Sequence, residues 1–401
     1  MTRTLLIAHG GGPTAVINAS LYGALVEARR SGAFSRILAS KRGIASDSFI
    51  DLTDIPPTKL ALLPSTPGSA IGTGRTPIDQ EGYAALAARF HGKGITDILL
   101  TGGNGTMDTT RKLAQAGKAH GILVNGIPKT MDNDLSGTDH APGYGSAARY
   151  LAGSVREVNQ DVNGLAIHVV VIEAFGRDAG WIAASSALAR TGKDDGPDMI
   201  LCPETPFEED RFLTRVQELY EKKQGVVIVA SEGLRDQAGN PIVQPVFQSG
   251  RSVYFGDVSA HLSQLITCHL GIKSRSEKPG ILGRASARWA SDIDRQEAIG
   301  CGKAAVGALL QGKSGWMSTI TRLSTEPYQS RIDVMAIEDA VLKAKLLPQE
   351  YLDPVHYDVT PSFVQWLKPL VGDDLGSFVV DTNLERNAVT RNENRICVTN
   401  R

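Results

Sequence analysis

The octapeptide Ile127-Pro-Lys-Thr-Met-Asp-Asn-Asp134 brings two carboxylates, a lysine and a threonine close together in the chain. Asp132 can accept the proton of an attacking hydroxyl, and Asp134 can help to bind Mg²⁺. Lys129, which precedes Thr130, can neutralise charge on a phosphoryl group in transit. An Asx-rich turn would explain Asp-Asn-Asp alone, but the whole octapeptide favours phosphoryl-transfer chemistry.

Three glycine-rich segments are candidates for binding phosphate. Gly10–Gly12 and Gly102–Thr106 each follow an apolar run, where backbone N–H groups can approach an anion at a helix N-terminus. The segment Gly68–Arg75 ends in an arginine, whose guanidinium can donate two hydrogen bonds to a phosphate. Each segment alone is also compatible with an ordinary turn or a solvated loop, so the three count only in combination.

Short apolar runs precede these segments and predict how they are positioned. Thr4–Ala8, Asp97–Thr101, Ile167–Glu173 and Gly225–Ala230 have the length and composition of buried strands, and helical patterns lie between them. Alternating strands and helices predict an α/β protein with mostly parallel sheets. Ligands of such sheets bind beyond the carboxyl ends of the strands, so we expect the candidate residues to meet there.

Composition narrows the class of protein. The 401 residues suffice for two lobes, and the net charge of −1 predicts no nucleic-acid or membrane partner. No apolar stretch approaches the ~20 residues that span a bilayer. The cysteines are far apart and none forms a C-x-x-C pair, which favours a reducing cytoplasm over a disulfide framework or structural zinc; they are Cys202, Cys268, Cys301 and Cys397.

Taken in chain order, these motifs resemble the phosphofructokinase family, including its pyrophosphate-dependent branch. They are the glycine loop at 10–12, Gly102–Thr106, Pro128–Asp134, Glu173-Ala-Phe-Gly-Arg-Asp-Ala-Gly180, Ser231-Glu-Gly233, and the later segments Lys273–Arg275, Pro279–Arg284 and Ala290–Asp294. The resemblance covers residues 4 to 310 approximately. It implies the phosphofructokinase fold, with two Rossmann-like three-layer α/β/α lobes and mostly parallel sheets. The implied donor-binding lobe is 1–143 plus about 258–308, and the implied sugar-phosphate lobe is 144–257 plus about 309–401.

The resemblance also implies roles for single residues. Asp132 matches the general base, and Thr130 matches a residue beside the transferred phosphoryl group. Arg177 matches an arginine that bridges the two substrates. Lys129 completes the implied catalytic set, and Asn104 and Asp134 are the implied Mg²⁺ residues.

The binding residues follow in the same way. The implied donor contacts are Gly11, Gly12, Arg75, Gly103, Asn104, Gly105 and Thr106. The implied acceptor contacts are Thr130, Asp132, His168, Phe175, Gly176, Arg177, Glu232, Arg275, Ile281 and Arg284. In this family an arginine for the sugar's distal phosphate can come from a neighbouring subunit, so a homodimer or homotetramer is implied.

The donor signals point in two directions. Asn104 replaces the family's usual aspartate, and a neutral amide is a weaker Mg²⁺ ligand. Gly105 leaves room for a nucleotide, as in ATP users. Lys129 is the residue typical of pyrophosphate users, and Thr109 stands where ATP users usually have a glycine. We therefore predict pyrophosphate as the donor, with ATP as the alternative.

The acceptor pocket departs from the family at several positions. His168 replaces a usual arginine or lysine, Ile281 a histidine or tyrosine, Gly283 a glutamine and Phe175 a methionine. We predict transfer to the 1-hydroxyl of fructose 6-phosphate, giving fructose 1,6-bisphosphate. The alternatives are ATP-dependent transfer to sedoheptulose 7-phosphate or 6-deoxy-6-sulfofructose, and a non-catalytic sugar-phosphate sensor.

Overall fold

The computed structural model describes residues 3–192, 195–249, 252–254, 256–340, 344–373 and 375–376. In chain order its strands are β1 (Arg3–Gly10), β2 (Phe34–Ser40), β3 (Phe49–Asp51), β4 (Thr73–Gly74), β5 (Asp97–Gly102), β6 (Leu123–Pro128), β7 (Val169–Ala174), β8 (Met199–Leu201), β9 (Val226–Ser231), β10 (Phe247–Ser249), β11 (Ser252–Tyr254), β12 (Ser274–Glu277), β13 (Trp316–Thr325), β14 (Tyr328–Ala336), β15 (Leu352–Asp353) and β16 (Asp358–Val359). Its α-helices are α1 (Ile17–Ser31), α2 (Pro57–Leu60), α3 (Gln80–Gly92), α4 (Asn104–Gly117), α5 (Tyr144–Gly164), α6 (Trp181–Ser185), α7 (Glu209–Lys223), α8 (Val258–Leu270), α9 (Ile281–Ala285), α10 (Asp292–Leu310) and α11 (Pro361–Val371). None of the helices within these ranges combines the length and the apolar character that crossing a bilayer requires.

The larger sheet has the strand order β14-β13-β6-β5-β1-β2-β3, and β4 pairs with the end of β1. Pairing is parallel from β13 to β2, while β14 and β3 are antiparallel edge strands. Alternate residues of each inner strand enter cores on opposite faces: Leu5 and Ile7 pack with α1 and α10, and Leu6 and Ala8 pack with α3 and α4. Helices on both faces explain why these strands are continuous apolar runs.

The second sheet has the order β12-β7-β9-β8 and is parallel throughout. Val170 and Ile172 of β7 face a core shared with α5, α6 and α11, and Val169 and Val171 face one shared with α7 and α8. Each sheet therefore lies between two layers of helices. The predicted α/β class with two three-layer units is confirmed.

Sheet pairing differs from the predicted division of the chain at two segments. Within the segment 258–308, β12 joins the second sheet and α8 packs against that sheet, whereas β13 and β14, assigned to the second lobe, extend the larger sheet. The physical reason is that a strand pairs with whichever strand tertiary packing brings beside it, even one far away in the sequence. Local sequence patterns do not encode that choice. Cys397 and the end of the predicted second lobe lie outside the described residues.

Helices α1 and α10 cross with their backbones in direct contact. A Cβ atom at Gly23 would overlap the carbonyl oxygen of Ile299, and one at Gly302 would overlap that of Ser20. Only glycine permits this approach at both positions. The two helices thereby form one packed unit beneath the larger sheet.

Candidate active site

The candidate residues follow the carboxyl ends of strands in both sheets. Gly11 and Gly12 follow β1, and the loop 129–134 follows β6 in the larger sheet. Arg177 follows β7, and Glu232 follows β9 in the second sheet. This is the edge at which parallel sheets bind ligands.

Two guanidinium groups lie beside the first glycine loop. A Cβ atom at Gly12 would lie 2.6 Å from Arg284 Nη1 and 3.5 Å from Arg75 Nη2. Gly11 has a φ of +75°, a conformation that favours glycine, and its N–H donates to the Gly74 carbonyl at 3.1 Å. The strand β4 thus brings Arg75 to this loop. We call Gly12, Arg75 and Arg284 the anion cradle, because paired guanidinium groups bind phosphate oxygens.

The second glycine segment begins helix α4. Thr106 fits against two glycines, since a Cβ atom at Gly10 or Gly102 would overlap its hydroxyl. A Cβ atom at Gly103 would lie 3.5 Å from the Lys129 carbonyl oxygen. At Gly105 a Cβ atom would meet no described atom within 4 Å, so this face of the helix start is open.

Lys129 is a buried cation beside the anion cradle. Its Nζ donates to the carbonyl oxygens of Gly12 at 2.6 Å and Gly10 at 3.3 Å. Burial lowers the pKa of Lys129 to about 8, although the carboxylate of Asp132 opposes this shift. The ammonium form therefore predominates near neutral pH and can balance the charge of a bound anion.

Hydrogen bonds connect the two aspartates of the 129–134 loop to α4. Thr130 Oγ1 accepts from the Asp132 N–H at 3.1 Å and donates to Asp134 Oδ1 at 3.2 Å. Asn104 Nδ2 donates to Asp134 Oδ2 at 2.9 Å and to the Asp134 carbonyl at 3.1 Å. The Asp134 carboxylate is therefore fixed from two elements.

The half-buried carboxyl of Asp132 has a pKa of about 6. Burial and then the negative charge of Asp134 raise this pKa, while the positive charges of Arg177 and Lys129 lower it. The pKa of Glu232 is raised to about 7 by burial and by Asp132. Residues that follow strands of both sheets therefore lie close enough for their charges to interact. A carboxylate with a pKa near neutrality suits proton abstraction.

The Arg177 backbone is held in a strained conformation. Its φ is +53°, and its N–H donates to Glu232 Oε1 at 3.4 Å. A Cβ atom at Gly233 would overlap the Arg177 carbonyl oxygen, so the loops after β7 and β9 can meet only with glycine at position 233. Strain of this kind is typical of functional loops. Gly176, with a φ of 142°, precedes it in the same turn.

Other predicted acceptor residues lie elsewhere. His168 is buried just before β7, and Arg275 pairs with Val170 near the start of that strand. Arg177 follows the opposite end of β7, about 20 Å away at ~3.3 Å per residue. His168 and Arg275 are therefore not part of the Asp132 site of their own chain. The three residues do not form one pocket within a single chain, because His168 and Arg275 lie at the start of β7 and Arg177 lies beyond its end.

The pKa of His168 is lowered by burial and by the positive charges of Arg275 and Lys273, so its ring is neutral near neutral pH. The side chain of Ile281 is 64% exposed on the short helix α9. Phe175 packs against the core shared by α5 and β7. These side chains supply no charge for an anionic acceptor.

The residues near Asp134 have oxygen atoms suited to Mg²⁺. Asn104 Oδ1 is buried and has no hydrogen-bond partner among the described residues, which leaves an acceptor oxygen beside the Asp134 carboxylate. In the described ranges no three His, Cys, Asp or Glu side chains form a complete metal cage. Mg²⁺ usually takes few protein ligands and completes its shell with substrate phosphates and water, so the residues present fit this ion.

Asn133 was not among the predicted site residues. It is buried with a φ of +52°, and its Oδ1 accepts from the Ala141 N–H at 3.0 Å. This turn separates Asp132 from Asp134. The signal was available in the sequence, because asparagine adopts the left-handed conformation more readily than most residues.

Known proteins resemble this chain over most of its length. A family described as "Phosphofructokinase" matches residues 4–309. The pyrophosphate–fructose 6-phosphate 1-phosphotransferase of Xanthomonas campestris pv. campestris (strain B100) is 35% identical over 382 residues, which are 92% of this chain and 91% of that protein. A sulfofructose kinase of Alkalicoccus urumqiensis is 29% identical over 372 residues, 91% of this chain and 94% of that protein.

A solved structure has the same fold over most of its length. The pyrophosphate-dependent phosphofructokinase of Nitrosospira multiformis superposes with a TM-score of 0.84 at 30% sequence identity. The alignment covers 94% of each chain. The similarity thus includes both sheets.

Proposed function

This chain belongs to the phosphofructokinase family, and we propose that it transfers a phosphoryl group from pyrophosphate to the 1-hydroxyl of fructose 6-phosphate, forming fructose 1,6-bisphosphate. The observation that carries the proposal is that the Asp132 carboxyl meets cations from several elements: the positive charges of Lys129, Arg177 and Arg284 all act on it, and Lys129 and Arg284 lie at the Gly12 loop. A base and several cations at one cleft are what transfer between a hydroxyl and a polyphosphate requires.

The proposed reaction is a direct in-line displacement. Asp132 removes the proton of the sugar hydroxyl as its oxygen bonds to phosphorus, and the bond from phosphorus to the bridging oxygen breaks to release orthophosphate. Lys129, Arg177 and the N–H groups of the glycine loop balance the negative charge on the phosphoryl group. Thr130 fixes the loop that carries the base, and no covalent enzyme intermediate forms.

We propose that Asn104 and Asp134 hold Mg²⁺. An ion held by these two residues would supply positive charge to the donor oxygens and help to orient the phosphoryl group. The proposal rests on the unpartnered Asn104 oxygen beside the Asp134 carboxylate.

We propose that the donor lies between the anion cradle and the start of α4, with Gly103 and Thr106 lining it. Relatives whose names specify pyrophosphate favour this donor. The open face at Gly105 supports ATP as the alternative, because a nucleotide needs that space.

We propose that the acceptor site is shared between chains. Arg284, Glu232 and Arg177 lie at the Asp132 site, whereas His168 and Arg275 are at the far end of β7 and would serve a neighbouring copy. A homodimer or homotetramer would meet this requirement. In this proposal the unit with the larger sheet binds the donor and the unit with the second sheet binds the sugar phosphate.

Free thiols at the described cysteines Cys202, Cys268 and Cys301 support a cytoplasmic location.

A second candidate is ATP-dependent transfer to 6-deoxy-6-sulfofructose. The exposed apolar side chain of Ile281 and the neutral ring of His168 favour it, since a sulfonate carries less charge than a phosphate. The sulfofructose kinase relative also supports this candidate.

A donor and acceptor screen tests the proposal. Pyrophosphate and ATP are each combined with fructose 6-phosphate, sedoheptulose 7-phosphate and 6-deoxy-6-sulfofructose at constant free Mg²⁺. We expect the highest kcat/KM for pyrophosphate with fructose 6-phosphate. A higher value for ATP with the sulfosugar would establish the second candidate. Sugar-phosphate binding without transfer from either donor would indicate a sensor and refute both.

Three groups of the site have pKa values near neutrality, and the two that act in the proposed transfer, Asp132 and Lys129, should set the outer limbs of the pH profile. Glu232, with a pKa of about 7, is a proposed sugar contact that does not move the proton. We expect kcat/KM to rise with pH as Asp132 loses its proton near 6, and to fall as Lys129 loses its proton near 8. Initial rates from pH 5 to 9.5 at a fixed concentration of magnesium pyrophosphate would measure both limbs. Lys129→Arg should shift only the alkaline limb of the profile, and should shift it to higher pH. A rate that is constant from pH 5 to 7 would argue against Asp132 as the base.

A further inference from the structure

Residues Ala344–Leu347, which we call the C-terminal clasp, lie between the two halves of the candidate site. Ala344 forms an isolated antiparallel bridge with Leu135, immediately after Asp134. The backbone N–H of Lys345 donates to the Asp134 carbonyl at 3.0 Å. The clasp therefore contacts the loop after β6 at the aspartate that we assign to Mg²⁺.

The side chain of Lys345 holds the other end of this loop. Its Nζ donates to the Thr138 carbonyl at 3.0 Å and to the Asp139 carbonyl. The same ammonium lies 4.9 Å from the centre of the Trp181 ring, within the range of a cation–π interaction. One residue thus fixes both ends of the segment from Asp134 to Asp139.

The clasp also contacts the loop after β7. The Lys345 carbonyl accepts from Trp181 Nε1 at 2.9 Å. Glu204 accepts from the N–H of Leu347 at 2.8 Å and from that of Gly180 at 2.9 Å. Gly180 and Trp181 directly follow the turn that contains Arg177, at the start of α6. The clasp therefore links the loop of one sheet to the loop of the other.

We propose that Lys345 is a positioning residue that fixes Asp134 relative to Arg177. This inference rests on the proposed function, because it gives Asp134 and Arg177 their roles. The Asp134 carbonyl accepts from both Lys345 and Asn104, so the backbone position there determines where the carboxylate lies. Without the ammonium, the Thr138 and Asp139 carbonyls would lose a charged donor and the segment would shift. Shifts of about 1 Å can lower turnover ~100-fold.

Lys345→Met and Lys345→Arg test the inference, with Lys368→Met on the exposed side of α11 as the matched control. Calorimetry measures the Kd of magnesium methylenediphosphonate, a donor analogue that cannot react. We expect Lys345→Met to raise this Kd about 10-fold and to lower kcat ~10- to 100-fold, with the ketose KM changed by less than about 2-fold. Lys345→Arg should recover most of both values, and Lys368→Met should match the unaltered protein.

Thermal midpoints of all variants separate positioning from folding. An unchanged Kd in Lys345→Met would overturn the inference, as would a loss of kcat that merely follows the fraction of folded protein. Failure of the proposed function gives a different result, because the unaltered protein would then transfer no phosphoryl group. The effect of Lys345→Met on analogue binding would still be measurable in that case.

Discussion

Asp132→Asn should lower kcat by about 10²- to 10⁴-fold, the usual contribution of a positioned general base. Asparagine has nearly the same shape as aspartate but cannot accept the proton of the sugar hydroxyl. The Asp132 N–H to Thr130 hydrogen bond is a backbone contact and should persist. Steady-state turnover with coupled detection of the bisphosphate would measure the loss.

Stability provides the control for this substitution. A pKa raised to about 6 means that the charged carboxylate is unfavourable in the folded protein, so its contribution to stability falls as pH rises from about 4 to 6. At pH 7 Asp132→Asn should therefore have a thermal midpoint at or above that of the unaltered protein. Asp210→Asn, on the exposed first turn of α7, is the matched variant with unchanged kcat. Retention of more than a tenth of the turnover by Asp132→Asn would remove the residue from the role of base.

Lys129→Met should lower kcat by about 10²- to 10³-fold, as the loss of one preorganised charged donor does elsewhere. The substitution keeps an unbranched side chain only one atom shorter but removes a cation that lies beside the anion cradle. It also leaves the Gly10 and Gly12 carbonyls without this donor. Single-turnover measurements at saturating substrates would separate the chemical step from binding.

Two further observations would check the role of Lys129. The alkaline limb of the pH profile should disappear in Lys129→Met, because the group that titrates near pH 8 is gone. Lys118→Met, on the exposed surface after α4, should leave kcat and the profile unchanged. A normal turnover for Lys129→Met would show that the arginines alone balance the transferred charge.

The buried strands were the part of the fold that could be predicted most directly. Thr4–Ala8 and Asp97–Thr101 lie within β1 and β5, and the assignment to the phosphofructokinase family is confirmed. Such strands have helices on both faces, so most of their residues are apolar and the run is visible in the local sequence. Asp132 and Arg177 come a few residues after β6 and β7, so they lie at the carboxyl edge of those two strands.

Sheet membership could not be predicted from local pattern. The strand β12 is the polar run Ser-Arg-Ser-Glu, with three exposed residues, and its only sign of strand character is its pairing with β7. The strand β13 pairs with β6 across 191 positions of sequence, as in the pairing of Trp316 with Asn125. Pairing of this kind depends on tertiary packing.

The positions of His168 and the clasp show two other limits. Resemblance gives the position of a residue in the chain, but not which copy's site it reaches, so His168 could not be excluded from its own site. Lys345 has no motif, because its role depends on contacts with Asp134 and Trp181 that only the folded chain creates.

The crossing of α1 and α10 has a mechanical consequence for the anion cradle. Helix α1 leads away from Gly12, and α10 begins shortly after Arg284. Gly23 and Gly302 let the two helices touch with no side chain between them at these points. If one helix slid along the other, carbonyl oxygens of one would collide with Cα atoms of the other. The glycine and the arginine of the anion cradle thus adjoin two helices that cannot slide past each other, and a single methyl group added at Gly23 or Gly302 would force those helices apart.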